Sequence, residues 1–158
     1  MAVLTSYPRE QAFEAVPEVD EEYVERARVL LADDHSSVLE QIRELLSEEY
    51  EIVGAVPDGK SLLQAAQELQ PDLIISDISM PEMNGFEAVE KIRALGNEAK
   101  LIFLTVQSGA AYVKKARSLG AAGYILKAHT NEELAQAVAK VVSGETYFSP
   151  NLKADGRK

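Results

Sequence analysis

Five short apolar runs recur between residues 29 and 126, and this repeat limits the possible folds more than any other feature of the sequence. The runs are VLLA (29–32), IVGAV (52–56), LIIS (73–76), LIFLTV (101–106) and AAGYIL (121–126). Their apolar residues are continuous rather than alternating, which is typical of parallel strands covered on both faces. With the amphipathic segments between them, they predict five βα units wound by right-handed crossovers into an open, doubly wound parallel sheet of the α/β class.

Start signals predict where several of the intervening helices begin. Three pairs place an N-cap residue three positions before a glutamate, the spacing of a capping box: Ser37 with Glu40, Asn84 with Glu87, and Thr130 with Glu133. Two further helices are predicted over residues 59–69 and 110–119, and Gly120 in the C′ position ends the second of these.

Length and charge predict one domain with polar ends. The chain has 158 residues, which suits a single domain. Residues 1–25 contain seven acidic residues and one basic residue, a charge of −6 within a total of −10. Together with two prolines, this charge predicts a flexible acidic arm over 1–25. The domain is then predicted over 26–148, and residues 149–158 form a polar tail or the start of a linker.

Composition excludes several classes of function. The chain has no cysteine, so disulfides, thiol nucleophiles and thiolate metal sites are excluded. The net negative charge argues against nucleic acid or an anionic membrane as the partner of this chain. The first residues lack the features of a signal peptide, and no apolar run approaches the roughly 18 residues of a membrane span. We therefore expect a soluble, cytoplasmic protein.

Polar side chains stand where four of the five predicted strands end. Asp33 and Asp34 follow the first strand, Asp77 follows the third, Thr105 lies in the fourth, and Lys127 follows the fifth. Ligands of doubly wound sheets bind at the carboxyl ends of the strands, so we expect these side chains to meet there. Two carboxylates about 4 Å apart repel by about 4 kcal/mol at an effective dielectric of about 20, so the cluster predicts a cation. Oxygen ligands favour Mg²⁺.

The lysine and the threonine predict a use for such a metal. Lys127 offers a positive charge to a phosphoryl oxygen or a carboxylate, and Thr105 offers a hydroxyl donor. With the carboxylates, they predict a site for one nucleophile, one divalent metal and one phosphoryl group. Catalysis there would rest on positioning and charge neutralisation.

These motifs closely resemble those of bacterial response-regulator receiver domains. The resemblance covers about residues 28–150 and rests on Asp33-Asp34, the run DISMPEMNG (77–85), Thr105 ending LIFLT, and Lys127 ending GYILK. The NarL/FixJ-like group is suggested by ILKA (125–128), which has no proline after the lysine, and by GETYFSP (144–150). The resemblance implies a flavodoxin-like (βα)5 fold with five strands in the order 2-1-3-4-5.

By position, the resemblance also implies a role for each residue at the ends of the strands. Asp77 would be the phosphoacceptor, and Thr105 and Lys127 would contact the phosphoryl group. Mg²⁺ would be held by Asp33, Asp34, Asp77 and the backbone carbonyl of Ser79. Tyr124 would be the switch aromatic, which changes its burial as Thr105 moves toward the phosphoryl group. Ser79 and Gln107 occupy positions that tune hydrolysis of the acyl phosphate in the family.

The implied function is that of a signalling switch and not of a metabolic enzyme. A sensor histidine kinase or a phosphotransfer protein would supply the phosphoryl group, and the protein would hydrolyse it slowly. The output would be transcription, controlled through a DNA-binding domain absent from this chain; the alternative is a stand-alone receiver acting by protein contact. A phosphorylation-dependent homodimer would use either the fourth helix, fifth strand and fifth helix, or the first and fifth helices.

Other functions and simpler roles stay open at this point. A flavodoxin-like mononucleotide-binding module needs phosphate-binding N–H groups where Asp33 and Asp34 stand, and a haloacid-type phosphohydrolase needs an aspartate where Ser79 stands. Tyr124 has the alternative of simple packing. His35 is predicted to be a partly exposed loop residue rather than a phosphoacceptor or metal ligand, and His129 is interpreted in the same way. The basic residues of the fourth helix, Lys114, Lys115 and Arg117, are interpreted as a solvated face.

Overall fold

A parallel sheet with helices on both faces forms the protein, in a computed structural model that describes residues 25–150 and 152. The elements are, in chain order, β1 (Arg28–Ala32), α1 (Ser36–Leu46), β2 (Glu51–Val56), α2 (Gly59–Leu69), β3 (Leu73–Ser76), α3 (Gly85–Ala94), β4 (Lys100–Thr105), α4 (Ala110–Ser118), β5 (Gly123–Leu126), α5 (Thr130–Val142) and β6 (Tyr147–Phe148). One turn of 3-10 helix, Lys127–His129, joins β5 to α5. The sheet order is β2-β1-β3-β4-β5-β6, and each neighbouring pair is parallel.

The predicted α/β class and the order 2-1-3-4-5 of the first five strands are confirmed, but the expected strand count of five is wrong. A sixth strand, Tyr147–Phe148, pairs with β5 in the register Gly123↔Tyr147 and Tyr124↔Phe148. It lies within GETYFSP (144–150), a segment that sequence analysis used only as a mark of the group. Two residues at the edge of a sheet give no periodic apolar signal, which explains the omission.

Alternation along the buried strands divides the core into two layers. In β1, Leu30 and Ala32 join a cluster with α2, α3 and α4, whereas Val29 and Leu31 join a cluster with α1 and α5. Because successive strand side chains point to opposite faces, a strand apolar throughout serves both layers. The continuous runs thus predicted the layering correctly.

One of the three predicted capping boxes is present. The Asn84 side chain accepts from the Glu87 N–H, and the Glu87 side chain accepts from the Asn84 N–H, both at 2.9 Å. The prediction is wrong for Ser37 and for Thr130. The N-cap residues are instead His35 for α1 and His129 for α5, and neither makes a side-chain cap hydrogen bond.

Thr130 and Glu133, which do not form the predicted capping box, have other hydrogen-bond partners. A cap of α2 that was not predicted is also present. The Thr130 hydroxyl donates to the Lys127 carbonyl, and Glu133 accepts from the Ser149 hydroxyl. The carboxylate of Asp58 accepts from the Ser61 N–H at 2.8 Å and caps α2.

The predicted ends of the chain lie mostly outside the described residues. Of the acidic arm over 1–25, only Glu25 is described. Of the tail over 149–158, Ser149, Pro150 and Leu152 are described, and Ser149 is buried. The three-part division therefore stays a prediction. None of the helices between residues 25 and 150 has the length and apolar character needed to cross a bilayer.

Candidate functional site

The ends of three parallel strands bring an acidic pair, a third carboxylate and a lysine to one edge of the sheet. Asp33 directly follows β1 and Asp77 directly follows β3, and these strands are neighbours. The Asp77 N–H donates to the carbonyl of Ala32 at 2.9 Å, which fixes the two strand ends side by side. Lys127 follows β5, two strands away, and its long side chain reaches back across the end of β4.

Lys127 joins the two buried carboxylates. Its Nζ lies 2.8 Å from Asp33 Oδ2 and 2.8 Å from Asp77 Oδ2. The lysine side chain is 16% exposed, and Asp33 and Asp77 are 2% and 4% exposed. Burial alone lowers the pKa of Lys127, but its hydrogen bonds to Asp33 and Asp77 outweigh burial and raise that pKa above its usual value. The lysine therefore stays charged between the two carboxylates.

The backbone around Asp77 holds its carboxylate in place. Asp77 Oδ1 accepts from the Ile78 N–H at 2.7 Å and from the Ser79 N–H at 3.4 Å. The loop then closes tightly, because the Gly85 N–H donates to the Ile78 carbonyl at 2.7 Å. A Cβ on Gly85 would lie 2.1 Å from the Asp77 carbonyl oxygen, so only glycine fits there without a shift of the backbone.

Asp34 and His35 form the outer part of this acidic pocket. His35 Nδ1 lies 3.1 Å from Asp34 Oδ1 and 3.3 Å from Asp33 Oδ1. The His35 N–H donates to Asp33 Oδ1 at 2.8 Å, so the start of α1 is bound to the pocket. The His35 side chain is 65% exposed, as a loop residue would be, but its contacts with both carboxylates were not predicted.

Charge and donor chemistry at this edge fit a hard divalent cation. Three carboxylates, those of Asp33, Asp34 and Asp77, share this edge with one lysine, so acidic charge exceeds basic charge. Donor atoms of Asp33, Asp34 and His35 lie within 4.8 Å of one another, close enough to share one ion. Carboxylate oxygens are the ligands that Mg²⁺ prefers. The pocket thus has both the charge and the ligand type that such a cation needs.

Thr105, Gln107 and Tyr124 form the opposite wall, and the backbone of Gln107 links the other two residues. The Gln107 N–H donates to Thr105 Oγ1 at 3.2 Å, and the Gln107 carbonyl accepts from the Tyr124 hydroxyl at 2.6 Å. The Gln107 side chain reaches Ser79 Oγ at 3.4 Å. Thr105 and Tyr124 are fully buried. Burial, with smaller effects from Tyr112 and Asp77, raises the pKa of Tyr124 far above its usual value.

Residues 29–139, which include every residue of this pocket, match the response regulator receiver domain family. The chain belongs to this family. The receiver is 34% identical over 127 residues to the response regulator GacA of Pseudomonas aeruginosa, a match that covers 79% of this chain and 59% of GacA. The chain therefore spans about six-tenths of the length of that curated relative.

Solved structures of response regulators share the receiver's fold. One is a LuxR-family two-component response regulator from Aurantimonas, with 32% identity, a TM-score of 0.76, and coverage of 81% of this chain and 93% of that chain. Another is the RcsB response regulator of Salmonella typhimurium, with 26% identity, a TM-score of 0.73, and coverage of 80% and 63%. RcsB has also been solved as two dimers bound to two parallel DNAs, with 26% identity and a TM-score of 0.72.

The charged residues of the receiver's pocket could be predicted from the sequence, but the backbone contacts between Thr105, Gln107 and Tyr124 could not. Asp33, Asp77 and Lys127 were predicted to meet, and they do. The central position of Gln107 between Thr105 and Tyr124 was not predicted, because both contacts use Gln107 backbone atoms, which carry no residue-specific signal. Among the described residues, no hydrogen bond joins Thr105 directly to Asp77.

Proposed function

We propose that this receiver accepts a phosphoryl group on Asp77 from a phosphohistidine and uses it as a conformational signal. The observation that carries the proposal is the position of Lys127 Nζ, 2.8 Å from both Asp33 and Asp77 in a pocket that Asp34 completes. Burial of charged groups costs desolvation free energy that their pairing barely offsets, so such a cluster contributes little to stability. Clusters of buried charged groups with a shifted pKa, as at Lys127, mark candidate functional sites.

In the transfer step, an Asp77 carboxylate oxygen attacks phosphorus. The bond between phosphorus and the histidine nitrogen of the donor breaks while the bond to Asp77 forms. The electron pair of the broken bond stays on the imidazole nitrogen, which takes a proton from water. Asp77 Oδ1 is already fixed by the Ile78 and Ser79 N–H groups, so the nucleophile enters the reaction oriented.

The remaining residues would neutralise charge around the phosphoryl group. Lys127 and the Thr105 hydroxyl would bind phosphoryl oxygens, and Asp33, Asp34, Asp77 and the Ser79 carbonyl would hold Mg²⁺. Bound there, Mg²⁺ would supply positive charge to phosphoryl oxygens. Once the phosphoryl group occupies Asp77, Lys127 would exchange a carboxylate contact for a phosphoryl contact. Asp33 then keeps the lysine at the pocket.

The same contacts support the switch role proposed for Thr105 and Tyr124. A Thr105 hydroxyl drawn toward the phosphoryl group would disturb its hydrogen bond from Gln107, which also binds the Tyr124 hydroxyl. Phosphorylation of Asp77 would then change which of two packings of this wall has the lower free energy. Lys114, Lys115 and Arg117 are all exposed, as a solvated face would be, but Lys115 pairs with Glu90 at 2.7 Å and the Arg117 guanidinium lies over the Phe148 ring.

We further propose that the output is transcription, through a DNA-binding domain outside this chain. RcsB, which shares this receiver fold, has been solved as dimers on DNA. A sensor histidine kinase or a phosphotransfer protein is the proposed donor, and a homodimer that forms on phosphorylation is the proposed active assembly. The alternative output, a stand-alone receiver acting by protein contact, predicts that phosphorylation strengthens binding to a protein and not to DNA.

Two rival functions are less well supported. Mononucleotide binding of the flavodoxin type would place a phosphate in the loop after β1, where Asp33 and Asp34 present two carboxylates next to His35. A haloacid-type phosphohydrolase would use an aspartate two residues after the nucleophile, where Ser79 accepts a hydrogen bond from Gln107. Metal-free binding of a flavin would support the first rival, and turnover of a phosphomonoester would support the second.

The proposal is tested by incubating the protein with Mg²⁺ and acetyl phosphate and measuring its intact mass. We expect one added phosphoryl group on the wild type and none on Asp77→Asn. Asp72→Asn, at the opposite end of the sheet, is the control and is expected to label as the wild type does. Equal labelling of Asp77→Asn and the wild type would overturn the assignment of the acceptor.

A further inference from the structure

The short strand β6 is bound to the strand that carries Tyr124. The Tyr147 N–H donates to the Ala122 carbonyl at 2.9 Å, and the Ser149 N–H donates to the Tyr124 carbonyl at 2.8 Å. This pairing sets Phe148 directly opposite Tyr124 in the sheet. The segment that follows α5 therefore lies against the fully buried aromatic beside the phosphoryl pocket, the name used for the site of Asp33, Asp77, Thr105 and Lys127.

Phe148 also packs on the ring of Tyr124 and is covered in turn by α4. The two ring centroids are 6.3 Å apart with an angle of 9° between the planes, a stacked pair. The guanidinium carbon of Arg117 lies 3.7 Å from the centroid of the Phe148 ring, which is within the range of a cation–π contact. One aromatic side chain of β6 thus connects α4 to the ring of Tyr124.

A buried polar pair fixes β6 one residue beyond Phe148. The Ser149 hydroxyl donates to the Glu133 carboxylate, and the Leu126 N–H donates to the Ser149 hydroxyl at 3.3 Å. Ser149 and Glu133 are both buried. Because buried polar groups are costly to leave without partners, these bonds hold the register of β6 against β5. Phe148 is therefore held in place from both sides.

From Tyr124 the contacts continue to the phosphoryl pocket through the backbone of one residue, Gln107. The Tyr124 hydroxyl donates to the Gln107 carbonyl at 2.6 Å, and the Gln107 N–H donates to Thr105 Oγ1 at 3.2 Å. A Tyr124 ring held at a fixed depth fixes the Gln107 carbonyl, and the N–H of the same residue orients the Thr105 hydroxyl. A loss of packing at Phe148 would be transmitted along the same bonds.

We propose that Phe148 is a positioning residue for the phosphoryl pocket, which it acts on through Tyr124, the Gln107 backbone and the Thr105 hydroxyl. The inference rests on the proposed function, because it assigns Phe148 to the site that binds the phosphoryl group. Linkage makes the coupling reciprocal: whatever holds β6 in place favours phosphoryl binding, and phosphoryl binding holds β6 in place. The segment after α5 then supports the site and changes its own stability when the site is occupied.

The test compares beryllofluoride affinity, measured by calorimetry with Mg²⁺, between the wild type and variants of Phe148. Beryllofluoride is a phosphomimetic that has been used with the isolated RcsB receiver. We expect Phe148→Ala to raise the dissociation constant by about five-fold or more, the lower end of typical coupling between sites. Phe148→Tyr keeps the ring and is expected to restore wild-type affinity.

A matched control separates positioning from general loss of stability. Ile52→Ala removes packing from β2, at the edge of the sheet opposite β6, and is expected to keep wild-type affinity even where its free energy of unfolding falls as far as that of Phe148→Ala. Equal weakening by both variants would overturn the proposal, and so would wild-type affinity in Phe148→Ala.

Hydrogen exchange on the wild-type protein supplies a second readout that needs no substitution. Beryllofluoride is expected to slow exchange of the Ser149 amide, which donates to the Tyr124 carbonyl. Unchanged Ser149 exchange on a wild type that binds beryllofluoride would overturn the role of Phe148 and leave the proposed function intact. A wild type that fails to bind beryllofluoride would overturn both.

Discussion

The two ends of the sheet pair their charged side chains in different ways. Where the strands begin, Arg28 and Arg93 donate mainly to backbone carbonyls. Where the strands end, Lys127 donates to the carboxylates of Asp33 and Asp77, with a further carboxylate close by. At the first end, charged groups complete the hydrogen bonds of the backbone. At the second, they leave an excess of negative charge.

Arg93 shows what a charged residue does when its role is structural. Its guanidinium donates to the carbonyls of Ala99 at 2.7 Å, Asn97 at 3.2 Å and Leu119 at 3.3 Å. It thus joins the ends of α3 and α4 to the start of β4. Every acceptor is a neutral carbonyl, so these contacts leave no group that needs a ligand. The type of partner, more than burial, therefore separates the structural charge of Arg93 from the charge proposed to be functional at Lys127.

The largest effect is expected when the Lys127 cation is removed from the end of the sheet where the strands end. Lys127→Ala should lower the rate of phosphorylation by acetyl phosphate by about 100-fold, the usual cost of removing one preorganised charge from a transition state. Intact mass against time measures the rate, and circular dichroism of the same samples checks that the variant is folded. Lys127→Arg, which keeps the charge, should retain part of the activity. A wild-type rate in Lys127→Ala would contradict the role of the lysine.

Removal of a charge where the strands begin should lower stability and leave phosphorylation unchanged. Arg93→Ala should lower the free energy of unfolding by about 2 kcal/mol, because it removes several hydrogen bonds from a charged donor. Urea unfolding measures this loss, and phosphorylation of the folded fraction should be unchanged. Arg93→Lys should recover only part of the stability, since a lysine lacks the planar fork of donors. Loss of phosphorylation in folded Arg93→Ala would contradict a purely structural role for Arg93.

A third change tests the excess negative charge itself. Asp34→Asn should weaken Mg²⁺ binding by about ten-fold, since one anionic ligand becomes neutral. Calorimetric titration with Mg²⁺ measures the affinity. Asp72→Asn removes a carboxylate of the same type at the other end, where Asp72 accepts from the Arg28 N–H, and should leave the affinity unchanged. If both variants bind Mg²⁺ as the wild type does, the acidic pair is not the metal site.

The smallest effect concerns pH. Burial raises the pKa of Tyr124 in the folded protein above its ordinary value of about 10. A raised pKa contributes stability that is fully present below pH about 10 and is lost as the pH rises through the folded value. The raised pKa of Lys127 acts in the same direction and is unaffected by a change at Tyr124.

Tyr124→Phe lacks the titrating hydroxyl and its hydrogen bond to Gln107, so it should be less stable than the wild type at neutral pH. Above pH about 10, the stability curves of the two proteins should converge, because only the wild type loses the contribution of the Tyr124 hydroxyl. Urea unfolding at several pH values measures both curves. Parallel curves would show that the hydroxyl of Tyr124 does not titrate as its burial requires.

The sequence was informative where residue type and position carry the information. Asp33, Asp77 and Lys127 could be placed together because each follows a continuous apolar run, and the ends of parallel strands share one edge. The Asn84–Glu87 capping box could be predicted because both of its hydrogen bonds are local. These features depend on contacts within a few residues or on the direction of the strands.

The features that were missed depend on tertiary contacts. Glu133 fitted a local capping pattern, but its carboxylate instead accepts a hydrogen bond from Ser149, which follows the C-terminal end of α5. His35 looked like a plain loop residue, because nothing in the sequence shows that its ring contacts both carboxylates of the acidic pair. The strand β6 has only two residues, and it forms by pairing with the exposed edge of β5. Such contacts become visible only when the whole fold is known.

Mapping the phosphorylated residue tests the central claim most directly. The wild-type protein is phosphorylated with acetyl phosphate and Mg²⁺, the acyl phosphate is trapped with hydroxylamine, and the modified peptide is sequenced by tandem mass spectrometry. We expect that Asp77 alone carries the modification and that omission of Mg²⁺ greatly reduces it. Stable phosphorylation of His35, or trapping at Asp33 or Asp34 in place of Asp77, would contradict it.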